Sequence, residues 1–185
     1  TARWGGLPLT LLLSSVSLVI AFPLAVLLAL GRQSQLPAIR TLCVLFVELV
    51  RGVPLISVLF MASFILPLFM PQGSTIDVLA RVLIGMTFFT AAYLAEVVRG
   101  GLQAVPKGQI EAAQSLGLSY WQTQRLIVLP QAFRNMLPVL LTQTIILFQD
   151  TSLVYVISVT DFLGAAAKIA NRDYRLVEMY TFAAL

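Results

Sequence analysis

An all-α, polytopic membrane helix bundle is the fold class this sequence predicts, and three observations predict it. Of its 185 residues, 59% are hydrophobic and only 11% charged, where soluble domains carry roughly 25% charged residues. Mean hydropathy is +0.93. The apolar residues are grouped into runs long enough to cross a hydrocarbon core of about 30 Å as helices. About five spans are expected in the parent protein. The chain starts at Thr1 and stops inside an apolar stretch at Leu185, so it reads as a fragment of a longer chain, organised as a single domain over 1–185. A cleaved signal peptide is an alternative account of the start.

The first span is the uncharged run 7–30. Pro8 falls in its first turn, where proline is tolerated, and Pro23 is expected to kink it, which lipid-embedded helices accept when neighbours satisfy the freed backbone groups. Residues 39–70 exceed one straight span. They read as an apolar helix ending near Val50, a kink at Pro54, and a span over 55–70, with a single tilted helix as the alternative. Glu48 and Arg51, three apart, share a helical face and suit an ion pair. Pro71-Gln72-Gly73-Ser74 is a turn. Residues 78–98 form a third span bearing Arg81 and Glu96. Arg81 is expected to snorkel outward, and Glu96 to pair with Arg99. Residues 137–157 form a fourth span, interrupted by Gln149-Asp150-Thr151-Ser152. Residues 160–175 read as a polar connector, with Gly164-Ala165-Ala166-Ala167 allowing close packing, and 176–185 as the first half of a fifth span.

Between the third and fourth spans lies a polar island, 99–136. Pro106 suits a first helical position, residues 107–116 form a helix, and Gly117 provides a left-handed stop. Ser119-Tyr120-Trp121-Gln122 fits a capping box that opens a second helix, which Pro130 ends or kinks. Glu111 and Ser115 stand one turn apart, and Ala112 and Ala113 give a flat face that another backbone can approach. An ordinary connector is the plain alternative, but structured loops disproportionately carry function. Basic residues set the orientation: Arg32 and Arg40 in the first connector, with Arg99, Lys107, Arg125 and Arg134 in the island, place both in the cytoplasm. Lys168, Arg172 and Arg175 conflict with this, because alternation puts them outside.

The sequence contains no His, the commonest general base and metal ligand. Cys43, the single cysteine, has no internal partner and reads as a small apolar residue. A membrane enzyme would need a nucleophile–base pair or metal ligands, and neither is found. The twelve basic residues form no clustered face of the kind nucleic acid requires. No catalytic residue, metal site or cofactor is therefore expected. Gln149 and Asp150, with Ser152 beside them and Gln143 nearly two turns earlier, form a polar stripe of the kind that lines substrate paths at broken helices.

Four stretches carry a family resemblance: Glu48-Leu49-Val50-Arg51-Gly52-Val53-Pro54-Leu55, Ala92-Tyr93-Leu94-Ala95-Glu96-Val97-Val98-Arg99-Gly100-Gly101, the island from Val105 through Glu111-Ala112-Ala113, Gly117 and Ile127-Val128-Leu129-Pro130, and Asp150-Thr151-Ser152-Leu153. The chain resembles the membrane permease subunit of bacterial ABC importers of the polar amino-acid group, and the island resembles their EAA loop. The resemblance implies a cytoplasmic coupling helix in which Glu111 supplies a polar contact, Ala112 and Ala113 closeness, and Gly117 the turn. It implies three protein partners: an ABC ATPase that binds the ATP, a second permease subunit, identical or homologous, and a periplasmic solute-binding protein. It implies an amino-acid substrate and the bacterial inner membrane. Many relatives have Lys where Gln149 stands here, so a cationic contact at that point is not carried over. The alternatives are a permease for betaine, an opine or a sulfur compound, and a passive channel, which would pass solute without ATP.

Overall fold

The computed structural model describes residues 5–71 and 76–184. They are almost entirely helical, with one isolated parallel bridge between Gly6 and Asp161. The elements are α1 (Leu7–Gly31), α2 (Pro37–Arg51), α3 (Leu55–Phe60), α4 (Val78–Gln103), α5 (Lys107–Ser115), α6 (Tyr120–Thr123), α7 (Leu129–Asp150), α8 (Phe162–Asp173) and α9 (Leu176–Ala184). Among the described residues, three continuous helical stretches are long and apolar enough to cross a membrane: Leu7–Gly31, Val78–Gln103 and Tyr120–Ile157. The pair Pro37–Arg51 and Leu55–Phe69 qualifies as one broken span. Most of the expected turn at 71–74, and the terminal Leu185, lie outside the described residues.

Two compact units divide the chain. The first comprises the described residues of Thr1–Ala21, Gly52–Thr90 and Thr144–Leu185. Its core is Leu9, Leu13, Leu55, Leu59, Val82, Met86, Leu147, Val154 and Ile157. Here α3 widens into a π turn, Met61–Ile65, and then tightens to a 3₁₀ turn, Leu66–Phe69. Arg81 does not snorkel outward. Its guanidinium donates to the Ser63 carbonyl inside the π turn, where the register change frees backbone acceptors from the regular ladder.

The expected polar connector at 160–175 is largely a helix. Asp161, 1% exposed, caps α8 by accepting from the Gly164 and Leu163 N–H groups at 2.9 and 3.2 Å. The Phe162 N–H in turn donates to Thr10 Oγ1 at 3.0 Å. Gly164, Ala166 and Ala170 form the buried face, and a side chain at Gly164 would sit 2.5 Å from the Tyr155 ring. Asp161→Ala should lower thermal stability by about 1–2 kcal/mol, the range of a lost cap, as a reduced Tm in detergent. The basic residues that conflict with the charge rule have local partners: Lys168 donates to Thr160 Oγ1 at 2.7 Å, Arg172 pairs with Asp173 at 2.7 Å, and Arg175 lies 3.6 Å from Glu178.

The second unit is Phe22–Arg51 with Ala91–Gln143. Its core is Ala29, Val98, Val105, Val128, Ala132 and Met136, with Ile110 and Leu102 packed against it. α1 runs unbroken through Pro23. Cys43 is half-buried, with its sulfur against Gly31. α4 meets α7 at Gly101, where an added Cβ would come within 3.0 Å of the Ala132 carbonyl and 3.1 Å of Met136 Cβ, whereas Gly100 faces open space. Gly101→Ala should therefore destabilise the protein by about 1–3 kcal/mol, the usual cost of overpacking. Gly100→Ala should not, which makes a paired Tm comparison the check.

The expected Glu48–Arg51 pair is not formed. Glu48 lies 3.3 Å from Arg32, and Arg51 lies 3.5 Å from Glu96. Partners from other helices outcompete the exposed (i, i+3) contact, which is worth only a few tenths of a kcal/mol. The Glu96–Arg99 pair forms, at 2.6 Å.

Candidate functional site

The polar island folds as helix, glycine turn, helix, all within the second unit. Pro106 stands just before α5 in an extended conformation, φ −61° and ψ 136°, so helical geometry begins at Lys107 rather than at the proline. α5 has no side-chain N-cap.

Its C-terminus is built with more care. The Gly117 N–H donates to the Gln114 carbonyl at 2.9 Å and the Leu118 N–H to the Ala113 carbonyl at 3.1 Å. These are the two reciprocal bonds of a Schellman motif. Gly117 carries φ +76°, and no atom lies within 4 Å of a Cβ placed there. Backbone conformation, not crowding, therefore requires glycine. An L-residue in the left-handed region costs roughly 1–2 kcal/mol, and a β-branched one fits it worst. Gly117→Val should thus re-aim or fray the last turn of α5 while the membrane spans stay folded. Limited proteolysis of membranes should show faster cleavage near 117 with an unchanged core fragment.

Ser119 then caps α6. Its N–H donates to Gln122 Oε1 at 2.9 Å, and its Oγ accepts from the Gln122 N–H at 3.4 Å. α6 does not stop at Pro130. A π turn, Gln124–Val128, carries it directly into α7, and Pro130 falls in the first turn of α7. The wide turn absorbs the hydrogen bond that the proline cannot make. The second island helix and the fourth span are therefore one continuous stretch, Tyr120–Ile157.

The four residues expected at this site divide into two groups. Glu111 and Ala112 are exposed on α5, and Gly117 is exposed at its end, whereas Ala113 is fully buried. Ile110 packs on the same core as Val105 and Val128, so α5 presents Ile110 and Ala113 inward and Glu111, Ala112 and Ser115 outward. Ala113 thus permits close seating of α5 on its own unit, and Glu111 and Ala112 make the free face. Gln131 Nε2 donates to Gln109 Oε1 at 3.3 Å, fastening α5 to α7. Ser115 Oγ donates to the Glu111 backbone carbonyl at 3.0 Å, and Glu111 is exposed.

Two large apolar side chains flank the turn. Leu116 is 79% and Trp121 78% exposed, and the Tyr120 and Trp121 rings meet edge to face at 5.5 Å. Neither belongs to the face expected from the sequence. The signal was a leucine at a helix C-cap and an aromatic pair inside a capping box, both in otherwise polar company. An exposed apolar rim around small and acidic residues is the composition of a protein-binding surface.

The second candidate set lies along α7. Gln143, half-buried, belongs to the second unit and lines a cavity of about 380 Å³ with Arg51, Tyr93, Glu96 and Asn135. Gln149, Asp150 and Ser152 belong to the first unit. Asp150 is the last residue of α7, and the chain tightens beyond it into a 3₁₀ segment, Thr151–Ile157, ending at Ser158 with φ 66°. Asp150 and Ser152 are half-buried and Gln149 is exposed. Thr151, 1% exposed, donates its hydroxyl to the Phe148 carbonyl at 2.7 Å, where the helix tightens. The interruption expected at 149–152 is not a break: α7 runs through Gln149 and Asp150 and changes to 3₁₀ geometry at Thr151 within the continuous stretch Tyr120–Ile157. Among the described residues no group of three or more Cys, Asp or Glu side chains is placed to hold a metal ion.

Comparison with known proteins adds lineage to this geometry. Residues 21–185 match the family model described as binding-protein-dependent transport system inner membrane component. The chain is 53% identical over its whole length to the inner membrane amino-acid ABC transporter permease protein YhdY of Escherichia coli K12, of which it spans 51%. It is 40% identical to the glutamate/aspartate import permease protein GltK of Escherichia coli O6:H1, covering 96% of this chain and 82% of that one. A solved amino acid ABC transporter with histidines superposes with a TM-score of 0.86 at 32% identity, over 97% of this chain and 82% of that one. The chain spans about half the length of the first of these relatives.

Proposed function

This chain belongs to the family of binding-protein-dependent transport system inner membrane components, and from that premise we propose that it is the transmembrane part of a permease subunit of an ATP-driven amino-acid importer in the bacterial inner membrane. The observation that carries the reading is α5 itself. It is a short helix fastened to the bundle on one side by Ile110, Ala113 and Gln109, and free on the other at Glu111 and Ala112. The Schellman turn at Gly117 ends it, and the Leu116 and Trp121 side chains edge it.

In this reading the free face seats in a cleft of a separate ABC ATPase. The chain itself contains no G-x-x-x-x-G-K-[ST] phosphate loop, and ATP is bound and hydrolysed by the partner. Closure of the ATPase pair favours one of two bundle arrangements through its differential contacts with α5. Glu111 supplies a charged contact, Ala112 close backbone approach, and Gly117 the angle at which the helix is presented. Ala113 acts from behind, by setting the depth of α5 against its own unit. A second permease subunit completes the pathway, and a periplasmic solute-binding protein delivers the substrate. Gln143, Gln149, Asp150 and Ser152 are the polar groups assigned to the path. The amino-acid substrate is supported by the names of the relatives and by the polar α7 residues.

The test is uptake of labelled amino acids into vesicles holding the full-length parent and its partners, with and without ATP inside the ATPase compartment. Uptake only with ATP and binding protein is expected. Solute passage without either would replace this reading with a channel.

A further inference from the structure

Two of the segments that carry the family resemblance, 48–55 and 92–101, meet in the second unit at one carboxylate. Glu96 lies on α4 two turns before its end, and its side chain keeps 16% exposure. Its Oε1 accepts from the guanidinium of Arg32 and lies 3.5 Å from Arg51 Nη1. Its Oε2 accepts from Arg99 Nε at 3.0 Å and Nη2 at 2.6 Å. Both oxygens are therefore engaged, by arginines from three parts of the chain. Arg32 follows the last residue of α1, and Arg51 is the last residue of α2. Both stand at the negative pole of a helix, where a cation is favoured. Arg51 also lies over the Tyr93 ring, 5.5 Å from its centre, and Tyr93 is one turn before Glu96 on α4.

Such an arrangement exceeds what insertion or orientation requires. Exposed ion pairs contribute little, but a largely covered carboxylate holding three cations is different, because its removal leaves Arg32, Arg51 and Arg99 facing one another, with Glu48 paired to Arg32 alone among the described residues. The network also continues toward α5. Arg99 Nη1 donates to Gln103 Oε1 at 3.0 Å, Gln103 ends α4, and α5 starts at Lys107. α5 also packs through Ile110 on the cluster that holds Val98 and Leu102 of α4, so α5 rests on the same helix that carries Glu96 and Arg99.

We propose that Glu96 is a positioning residue for coupling. It locks the ends of α1 and α2 to α4, so that movement imposed on α5 moves all three together. The inference rests on the coupling role proposed for α5. Pairing of this kind is geometric as well as electrostatic: a carboxylate accepts from several guanidinium groups at once, while a carboxamide turns an N–H toward them.

The experiment measures amino acid taken up per ATP hydrolysed, in proteoliposomes holding the full-length parent and its partners. In Glu96→Gln, hydrolysis should continue while uptake per ATP falls by at least about tenfold, within the range of coupling between sites. Glu96→Asp, which keeps the charge, should recover most of the ratio. Arg51→Met removes the more exposed and longer contact alone and should lower the ratio by about threefold, a partial loss on the same scale. Should Glu96→Gln fail to assemble, Arg51→Met still decides, and an unchanged ratio there overturns the proposal. Uptake and hydrolysis falling together in Glu96→Gln, with the ratio held, would make Glu96 purely structural and overturn it as well. Wild-type vesicles without ATP-driven uptake would instead overturn the importer reading, and this proposal with it.

Discussion

Ala112→Asp in the full-length parent should reduce ATP-driven amino-acid uptake by more than about tenfold while the protein remains inserted and abundant. Ala112 is exposed on the free face of α5, beside the exposed Glu111. A second carboxylate there costs nothing in the isolated chain, because water solvates it. In a closely packed interface it is a desolvated charge without a partner, and such groups cost about 2–5 kcal/mol, enough for a thirtyfold or greater loss of docking. Ala112→Ser, which adds one small hydroxyl, should remain near wild type. Ala113→Asp should behave differently again. Ala113 is fully buried, so the charge falls inside the second unit and the protein should be lost from the membrane. Uptake normalised to abundance on immunoblots separates the three outcomes. Normal uptake in Ala112→Asp would remove α5 as the docking element.

Asp150→Ala should change the concentration dependence of uptake by about fivefold or more in KM, with smaller change in maximal rate. Ionisable groups inside a span are costly and default to a pathway role, and binding shared equally by ground and transition states appears in KM. Asp150 ends α7 where the helix tightens, is half-buried, and adjoins Thr151, whose hydroxyl is already engaged with the Phe148 carbonyl. On the proposed reading, in which Asp150 borders the path, its carboxylate meets the ammonium group of the substrate. Asp150→Asn keeps shape and hydrogen bonding and should shift KM in the same direction by removing charge alone. A superimposable uptake curve in both variants would take Asp150 out of the pathway.

What could be read from the sequence was what is decided locally. The left-handed stop at Gly117 and the Ser119 capping box follow from residues within one or two turns of each other. So do the long apolar runs that become α1 and α4. Features decided by distant neighbours were not legible. Ala112 and Ala113 look equivalent as text, yet packing of α5 against the core of Val105, Val128 and Ala132 sends one outward and buries the other. Glu48 and Arg51 have helical spacing for a pair, but Arg32 and Glu96 arrive from α1 and α4 and take them. Arg81 looked free to reach water because the π turn that binds it comes from α3. The helix at Phe162–Asp173 was hidden by the polar residues at its two ends, although Asp161 ahead of Gly164 and Ala166 was a cap signal open to reading. Of the two outcomes expected at Pro130, an end or a kink, the end is excluded by the π turn Gln124–Val128 that leads into α7, and that turn leaves no mark in composition.

The central claim, that α5 is where this permease meets its ATPase, is tested most directly by purifying the full-length parent from detergent-solubilised native membranes and identifying the proteins that stay bound. The account predicts a P-loop ATPase bound to wild type, lost in Ala112→Asp, and retained in Ala112→Ser. A folded parent with no ATPase attached, or an ATPase held equally by wild type and Ala112→Asp, would contradict it.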